Sequence, residues 1–134
     1  MFTPVSNIEY LRLDADRQIL VATDGDPEAL RAAWSGRAAA VLSFTARGDL
    51  TKLVEDLLAN PHIRALVVHG DGAGLDRLRR FWICQEGLPP GFVEPWLTDL
   101  VVRWVDLYDD DCDLRLPLPP FWPEPIRLNT KEKR

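Results

Sequence analysis

Three glycines at every second position form the part of this sequence best suited to holding a ligand. The segment runs His69-Gly70-Asp71-Gly72-Ala73-Gly74, after an apolar run and before an amphipathic one. Glycines let a backbone approach a ligand closely, and N–H groups at a helix start favour an anion. The spacing is G-x-G-x-G, not the G-x-G-x-x-G of dinucleotide-binding loops. A tight strand-to-helix turn that needs positive φ is the other interpretation of these glycines.

The charged side chains near these glycines have opposite effects on an anionic ligand. Arg77, Arg79 and Arg80 lie within reach, whereas Asp71 and Asp76 would repel a phosphate. His69 could act as a base or ligate a metal, although a histidine satisfied by packing or by solvent is the simpler interpretation. The predicted ligand-binding residues are therefore His69, Gly70, Asp71, Gly72, Gly74 and Arg77.

Other chemistry finds little support, and we predict no catalytic residues and no metal site. His62 and His69 lie at opposite ends of one predicted strand, about 20 Å apart, so they cannot share a metal. The aspartates between 109 and 113 lack the ligand pattern of a calcium loop. Cys84 has no neighbouring histidine to activate it. P-loop, nucleophile-elbow and zinc spacings are missing from the sequence, and the identity of any cofactor is left unknown.

Composition limits the partners and the compartment. The chain has 134 residues, of which 46% are hydrophobic and 28% charged, which is typical of one globular domain. A net charge of −5 argues against nucleic-acid binding, because phosphate affinity comes from Lys and Arg. The sequence shows neither a leader-like start nor an apolar run of membrane-spanning length, so we expect a cytoplasmic protein without a membrane partner. Cys84 and Cys112 are expected to be reduced there, and a single bridge between them is the alternative.

The first elements have the pattern of a hairpin followed by a helix. Apolar and polar residues alternate in 8–14 and in part of 18–23, with a polar turn between them, which predicts an antiparallel β-hairpin. Asp26 then caps a helix that has Pro27 at its first position and continues to Trp34.

An unbroken apolar run over 38–45 predicts a strand covered on both faces, as in a parallel sheet, and residues 63–68 predict a second buried strand. Asp49 opens a helix between them, which ends at Asn60-Pro61. We expect the two strands to lie side by side and to point the same way. The predicted fold is an α/β, Rossmann-like three-layer domain with a short parallel sheet and an N-terminal β-hairpin.

The carboxyl-terminal half predicts two more helices and a tail. The first follows Gly74, and its inner residues are Leu75, Leu78, Phe81 and Trp82. The second spans about 94–108, and its apolar face has Leu97, Leu100, Val101, Trp104 and Tyr108. We assign residues 1–116 to a single domain and 117–134 to a proline-rich tail.

The tail combines prolines with large apolar side chains. Five prolines between 117 and 125 favour an extended polyproline-type segment. Such a segment either crosses its own domain or inserts into a partner, and both alternatives stay open. Pro120, Phe121 and Trp122 are the predicted partner-binding residues, because exposed aromatic side chains are common interface anchors.

Residues 50–70 carry a family resemblance. A helix with Lys52 near its start ends at Asn60-Pro61, and Ile63-Arg64 then leads into an apolar strand that closes with His69-Gly70. This segment resembles the Rossmann-like domain in the A subunit of tetrahydromethanopterin S-methyltransferase, and a related segment of archaeal-type thymidylate synthases. The resemblance covers about a sixth of the chain and implies a Rossmann-like fold.

The chain departs from that family where the family binds its corrinoid. A Gly-His pair there supplies a histidine to cobalt and Gly-Gln follows, whereas here Gly74 precedes Leu75 and no Gly-Gln follows. Leucine has no lone pair to give a metal. The sequence therefore favours an accessory, non-catalytic domain that associates with a protein partner or with itself. The alternative is a small-ligand-binding or one-carbon, corrinoid-type enzyme domain that uses the Gly70–Gly74 loop.

Overall fold

A five-stranded sheet organises the part of the chain that the computed structural model describes, which is residues 1–84, 100–102 and 104–109. The strands stand in the order β1-β3-β2-β4-β5. They are β1 (Tyr10–Arg12), β2 (Ile19–Thr23), β3 (Ala40–Ser43), β4 (Ala65–His69) and β5 (Asp106–Asp109). All neighbouring pairs are parallel except β1 with β3. The predicted α/β class with a short parallel sheet is confirmed.

The antiparallel strand at the amino terminus has a different partner from the one predicted. β1 pairs with β3, with Leu11 opposite Val41, and not with β2. A bond from Leu13 N to Ala39 O, 2.9 Å long, continues this pairing. β2 is buried along its whole length and lies between two parallel neighbours, where no place is left for β1.

The prediction that the two apolar strands lie side by side is also wrong. β3 and β4 point the same way, but β2 lies between them, with Val21 opposite Val41 on one side and Val67 on the other. The connection from β3 to β4 therefore passes over β2. Such a reversal of strand order is the arrangement found in doubly wound α/β folds.

Capped helices connect these strands where the sequence predicts them. A 3₁₀ turn, Pro27–Leu30, runs directly into α1 (Arg31–Trp34), and the Asp26 side chain accepts a bond from Glu28 N. α2 (Leu50–Ala59) begins where Asp49 accepts from Lys52 N and ends at Asn60. The third helix, α3, is Ala73–Cys84.

Alternate residues of the strands build a core on each face of the sheet. Ile19 and Val21 belong to the core that includes Trp34 of α1. Leu20 and Ala22 belong to the other core, which α2 and α3 cover; the inner residues predicted for α3, Leu75, Leu78, Phe81 and Trp82, are all buried there. Two covered faces make the domain three-layered.

The last described segment corrects the predicted helix over 94–108. Residues 100–102 and 104 are helical, but Asp106–Asp109 form β5. Leu107 and Tyr108 pair with Leu66 and Val67, so sheet pairing along the edge of β4 replaces the helix. Residues 94–99 of that prediction and the whole tail lie outside the described residues.

A polar cluster fastens the amino-terminal segment to α2. Asp56 is fully buried and accepts bonds from Val5 N, Ser6 N, Ser6 Oγ and the Tyr10 hydroxyl, at 2.5–2.8 Å. Asn60, one turn later, accepts from Thr3 N and donates to Thr3 O. Burial raises the pKa of Tyr10, and its bond to the Asp56 carboxylate raises that pKa further. The cluster holds Phe2 in the core.

Candidate functional site

The carboxyl ends of β2 and β4 mark the place where this topology is expected to bind ligands. From β2 the chain goes to β3 on one side of the sheet, and it later returns to β4 on the other. Open α/β sheets hold their ligands in the crevice outside such a switch point. Thr23 and His69 end the two strands opposite each other, so the loops that follow them meet there.

The glycine loop at this point is closed by a side chain of the chain itself. Gly70 has φ of 123°, and a Cβ there would lie 2.6 Å from Asp24 Oδ1. Gly72 N donates to Asp24 Oδ2 over 2.9 Å. Asp24 therefore occupies the position in which the sequence predicts an anion, and a carboxylate so close disfavours a phosphate.

Gly74 has a packing role at the start of α3. It is buried, and a Cβ there would overlap the carbonyl oxygen of Thr45, in the loop after β3. Leu75, which stands where the resembled family has its cobalt ligand, is fully buried in the core. A side chain at that position faces the hydrophobic core, so the residues present do not fit a cobalt site.

Arg77 fastens α3 to the loop after β3. Its guanidinium donates to Ala46 O at 3.0 Å and to Gly48 O at 2.8 Å. The same group lies over the Phe44 ring, 5.7 Å from its centroid. The Arg77 guanidinium, which the sequence predicts to bind an anionic ligand, therefore already has partners within the chain.

The other two arginines of α3 also have partners within the chain. Arg79 donates to Gly70 O and, through Nε, to Asp109 Oδ2 at 2.6 Å, which joins α3 to the end of β5. Arg80 pairs with Asp76 at 3.1 Å on the surface. Of the predicted loop residues, Asp71 is exposed.

The His69 side chain contacts Trp34 of α1, on the face of the sheet that α2 and α3 do not cover. Trp34 Nε1 donates to His69 Nε2 over 3.2 Å, and the two rings meet edge to face with centroids 5.9 Å apart. This nitrogen then accepts a hydrogen bond, and its lone pair is used in that contact. In the described ranges no group of three His, Cys, Asp or Glu side chains is placed to hold a metal ion.

Sequence reasoning missed Asp24, the residue that closes the loop. Asp24 follows β2, and the loop follows β4, so the two come together only through the sheet order. The signal available was its position directly after an apolar strand, where loop residues of α/β folds meet.

An apolar groove lies at the other end of the sheet, where β4 and β5 begin. Its volume is about 230 Å³. We call it the apolar groove; its walls are Leu57, Leu58, Pro61, Ile63, Leu100, Val101, Trp104 and Val105. The Trp104 side chain is 70% exposed, although the sequence places it on the inner helix face together with Val101, which is buried. The predicted partner-binding residues Pro120, Phe121 and Trp122 lie outside the described residues.

No family model and no curated protein matches the sequence. None of the helices in the described ranges has the length and apolar character needed to cross a membrane. Cys84 is an exposed thiol at the end of α3, and Cys112 lies outside the described residues.

Proposed function

We propose that this protein is a non-catalytic accessory domain that works by binding another protein, either a partner or a second copy of itself, in the cytoplasm. The observation that carries the proposal is the use of the polar groups around the glycine loop. Gly72 N, the Arg77 guanidinium and His69 Nε2 each bond to another group of the same chain. A loop occupied in this way has little to offer a substrate.

Exposed apolar side chains support association. Ile83, at the end of α3, is 79% exposed, and Trp104 is 70% exposed. A tryptophan on a protein surface is a common interface anchor. The sequence adds Phe121 and Trp122 in the proline-rich tail, and we assign partner binding to these two residues together with Pro120.

We further propose that the domain is a degenerate relative of corrinoid methyl-carrier domains. The sequence resemblance of the Asn60-Pro61-x-Ile63-Arg64 segment supports this proposal. Asn60 and Ile63 also have structural roles that do not depend on a cofactor. Asn60 bonds to Thr3, and Ile63 is buried in the core. Such a segment survives the loss of the corrinoid ligand.

The mass of the protein isolated from its native host tests the association. Sedimentation velocity is expected to give a particle larger than the 15.2 kDa monomer. Changing Phe121→Ser together with Trp122→Ser is expected to return the monomer. Val5→Ser, which alters a side chain that is 64% exposed elsewhere on the surface, is the matched control and leaves the particle intact. A wild-type protein that is monomeric at every concentration contradicts the proposal.

A second candidate function is small-ligand binding at the glycine loop, favoured by the position of that loop at the sheet's switch point. A corrinoid, a pterin or a nucleotide would then raise the melting temperature of the wild-type protein, and His69→Gln would reduce the shift. The non-catalytic proposal expects no shift with any of the three classes. A reproducible shift that His69→Gln removes favours the second candidate over the first.

A further inference from the structure

We propose that the apolar groove holds the proline face of the chain's own tail, Pro117, Pro120 and Pro123, an inference that rests on the proposed function. The docked tail then presents Phe121 and Trp122 to a partner, and Pro120, assigned above to partner binding, serves instead to hold these two residues on the groove. The groove thereby acquires an occupant, and the accessory domain acquires a fixed binding surface in place of a free tail.

The chemistry of the groove fits prolines. All eight wall residues are apolar, Pro61 is among them, and Trp104 stands exposed at the rim. Proline-rich segments are recognised in grooves lined by aromatic and apolar side chains, because the preformed polyproline helix loses little entropy on docking. Among the described wall residues none is charged, so an apolar segment matches the groove better than a charged one.

The repeat of the polyproline helix divides residues 117–125 into three faces, and one of these faces consists of prolines alone. Three residues make one turn, so residues three apart share a face. Pro117, Pro120 and Pro123 have that spacing. Phe121 and Trp122 follow Pro120 by one and two positions, and they therefore fall on the other two faces.

The tail is long enough to reach the groove of its own domain. Val105, a wall residue, directly precedes β5, and Asp109 ends that strand. The tail therefore has to return from Asp109 to the groove over about 13 Å, at a rise of about 3.3 Å per residue. Residues 110–116 precede Pro117 and span up to about 23 Å when extended. So short a connection gives the tail a high effective concentration at its own groove, which favours the same chain over a second copy.

A double-mutant cycle on the full-length protein tests this placement. One arm is Trp104→Ser, and the other replaces the three prolines together, Pro117→Ala, Pro120→Ala and Pro123→Ala. If tail and groove touch, the two changes are not additive, and we expect the unfolding equilibrium constant to deviate from additivity by about fivefold or more. Leu58→Ser, on the opposite wall, repeats the cycle should Trp104→Ser fail to fold.

Matched controls distinguish this placement from other occupants. The cycle between Trp104→Ser and Phe121→Ser with Trp122→Ser is expected to be additive within about twofold. Additivity with the proline variant overturns the proposal, as does coupling confined to the Phe121 and Trp122 pair. A third cycle combines Trp104→Ser with Leu88→Ser. If this cycle is non-additive while the proline cycle is additive, the groove belongs to the segment that contains Leu88, and the proposal is overturned. Coupling that grows with protein concentration assigns the groove to a second copy, which also overturns it.

The proposed function and this inference fail separately. If partner binding depends on Phe121 and Trp122 while the proline cycle is additive, the accessory function stands and only the docked tail is refuted. A monomer with a coupled proline cycle does the reverse.

Discussion

Asp56 is a buried carboxylate that holds a whole segment in place. Four donors from Val5, Ser6 and Tyr10 surround it, and each of them would be left without its acceptor if the carboxylate were removed. Unsatisfied buried donors are more costly than the net value of the bonds they make. The amino-terminal segment therefore depends on one residue of α2.

Removal of that carboxylate gives the first prediction. Asp56→Ala is expected to lower the free energy of unfolding by about 3 kcal/mol or more, measured by urea denaturation. Asp56→Asn retains one acceptor oxygen and is expected to lower it less. Glu55→Ala, at the exposed neighbouring position, is the control and should stay within about 0.5 kcal/mol of wild type. Equal losses at positions 55 and 56 would contradict the account of the cluster.

The sequence carried a signal for this cluster. Asp56 and Asn60 are four residues apart and fall within the apolar stripe formed by Leu53 and Leu57. A polar residue in such a stripe has to find a buried partner. The partner itself, the segment around Ser6, could not be predicted, because nothing in residues 1–8 indicates which helix they cross.

His62 gives a prediction on pH. Burial lowers the pKa of its imidazole below the usual value of 6.5. The unfolded chain therefore takes up the proton first as the pH falls, and this group's contribution to stability is present above about pH 6.5 and is lost below it. His62→Gln removes that part of the pH dependence. Urea midpoints at pH 7.5 and 5.5 are expected to differ less in the variant, and an equal difference in both proteins would refute the prediction.

At the scale of elements, the contact between the start of α3 and the loop after β3 depends on a missing side chain. Alanine is the better helix former, yet a Cβ at Gly74 would overlap Thr45 O. Gly74→Ala is therefore expected to destabilise the protein by about 1–3 kcal/mol in chemical denaturation. Gly25→Ala places its Cβ at an ordinary 3.9 Å from Thr23 Oγ1 and is expected to be tolerated. Two variants of equal stability would contradict this account of α3.

The Arg77 contacts predict a local effect on the same loop. Arg77 Nη1 donates to both Ala46 O and Gly48 O while the planar guanidinium lies over the Phe44 ring. Lysine lacks that planar group, so Arg77→Lys should loosen residues 44–48. Hydrogen exchange in that loop is expected to become faster. Arg80→Lys, whose pair with Asp76 is exposed, is the control and should leave the exchange unchanged. An unchanged loop in Arg77→Lys would show that the contacts do not hold it.

The elements themselves could be predicted from the sequence more fully than their order. Apolar runs and caps located β3, α2 and β4, because period and capping are local properties. Strand neighbours are set by long-range packing. One signal for the order was present: Ile19–Ala22 is an unbroken apolar run, which is typical of a central parallel strand and not of a hairpin at the sheet edge.

At the scale of the whole molecule, the two ends of the sheet differ in character. The carboxyl end has a loop whose polar groups are bonded within the chain, and the other end has the apolar groove with Trp104 at its rim. Sequence reasoning found the loop, since glycines are visible in a sequence. It could not find the groove, because α2 and residues 100–105 meet only in the folded chain.

Photo-crosslinking in the native host tests the central claim, that the domain acts through association and not through the glycine loop. A benzophenone amino acid replaces Trp122 in one variant and Asp71, in the loop, in another. We expect a protein adduct from position 122 and none from position 71. The absence of a protein adduct from position 122, with or without adducts from position 71, would contradict the account.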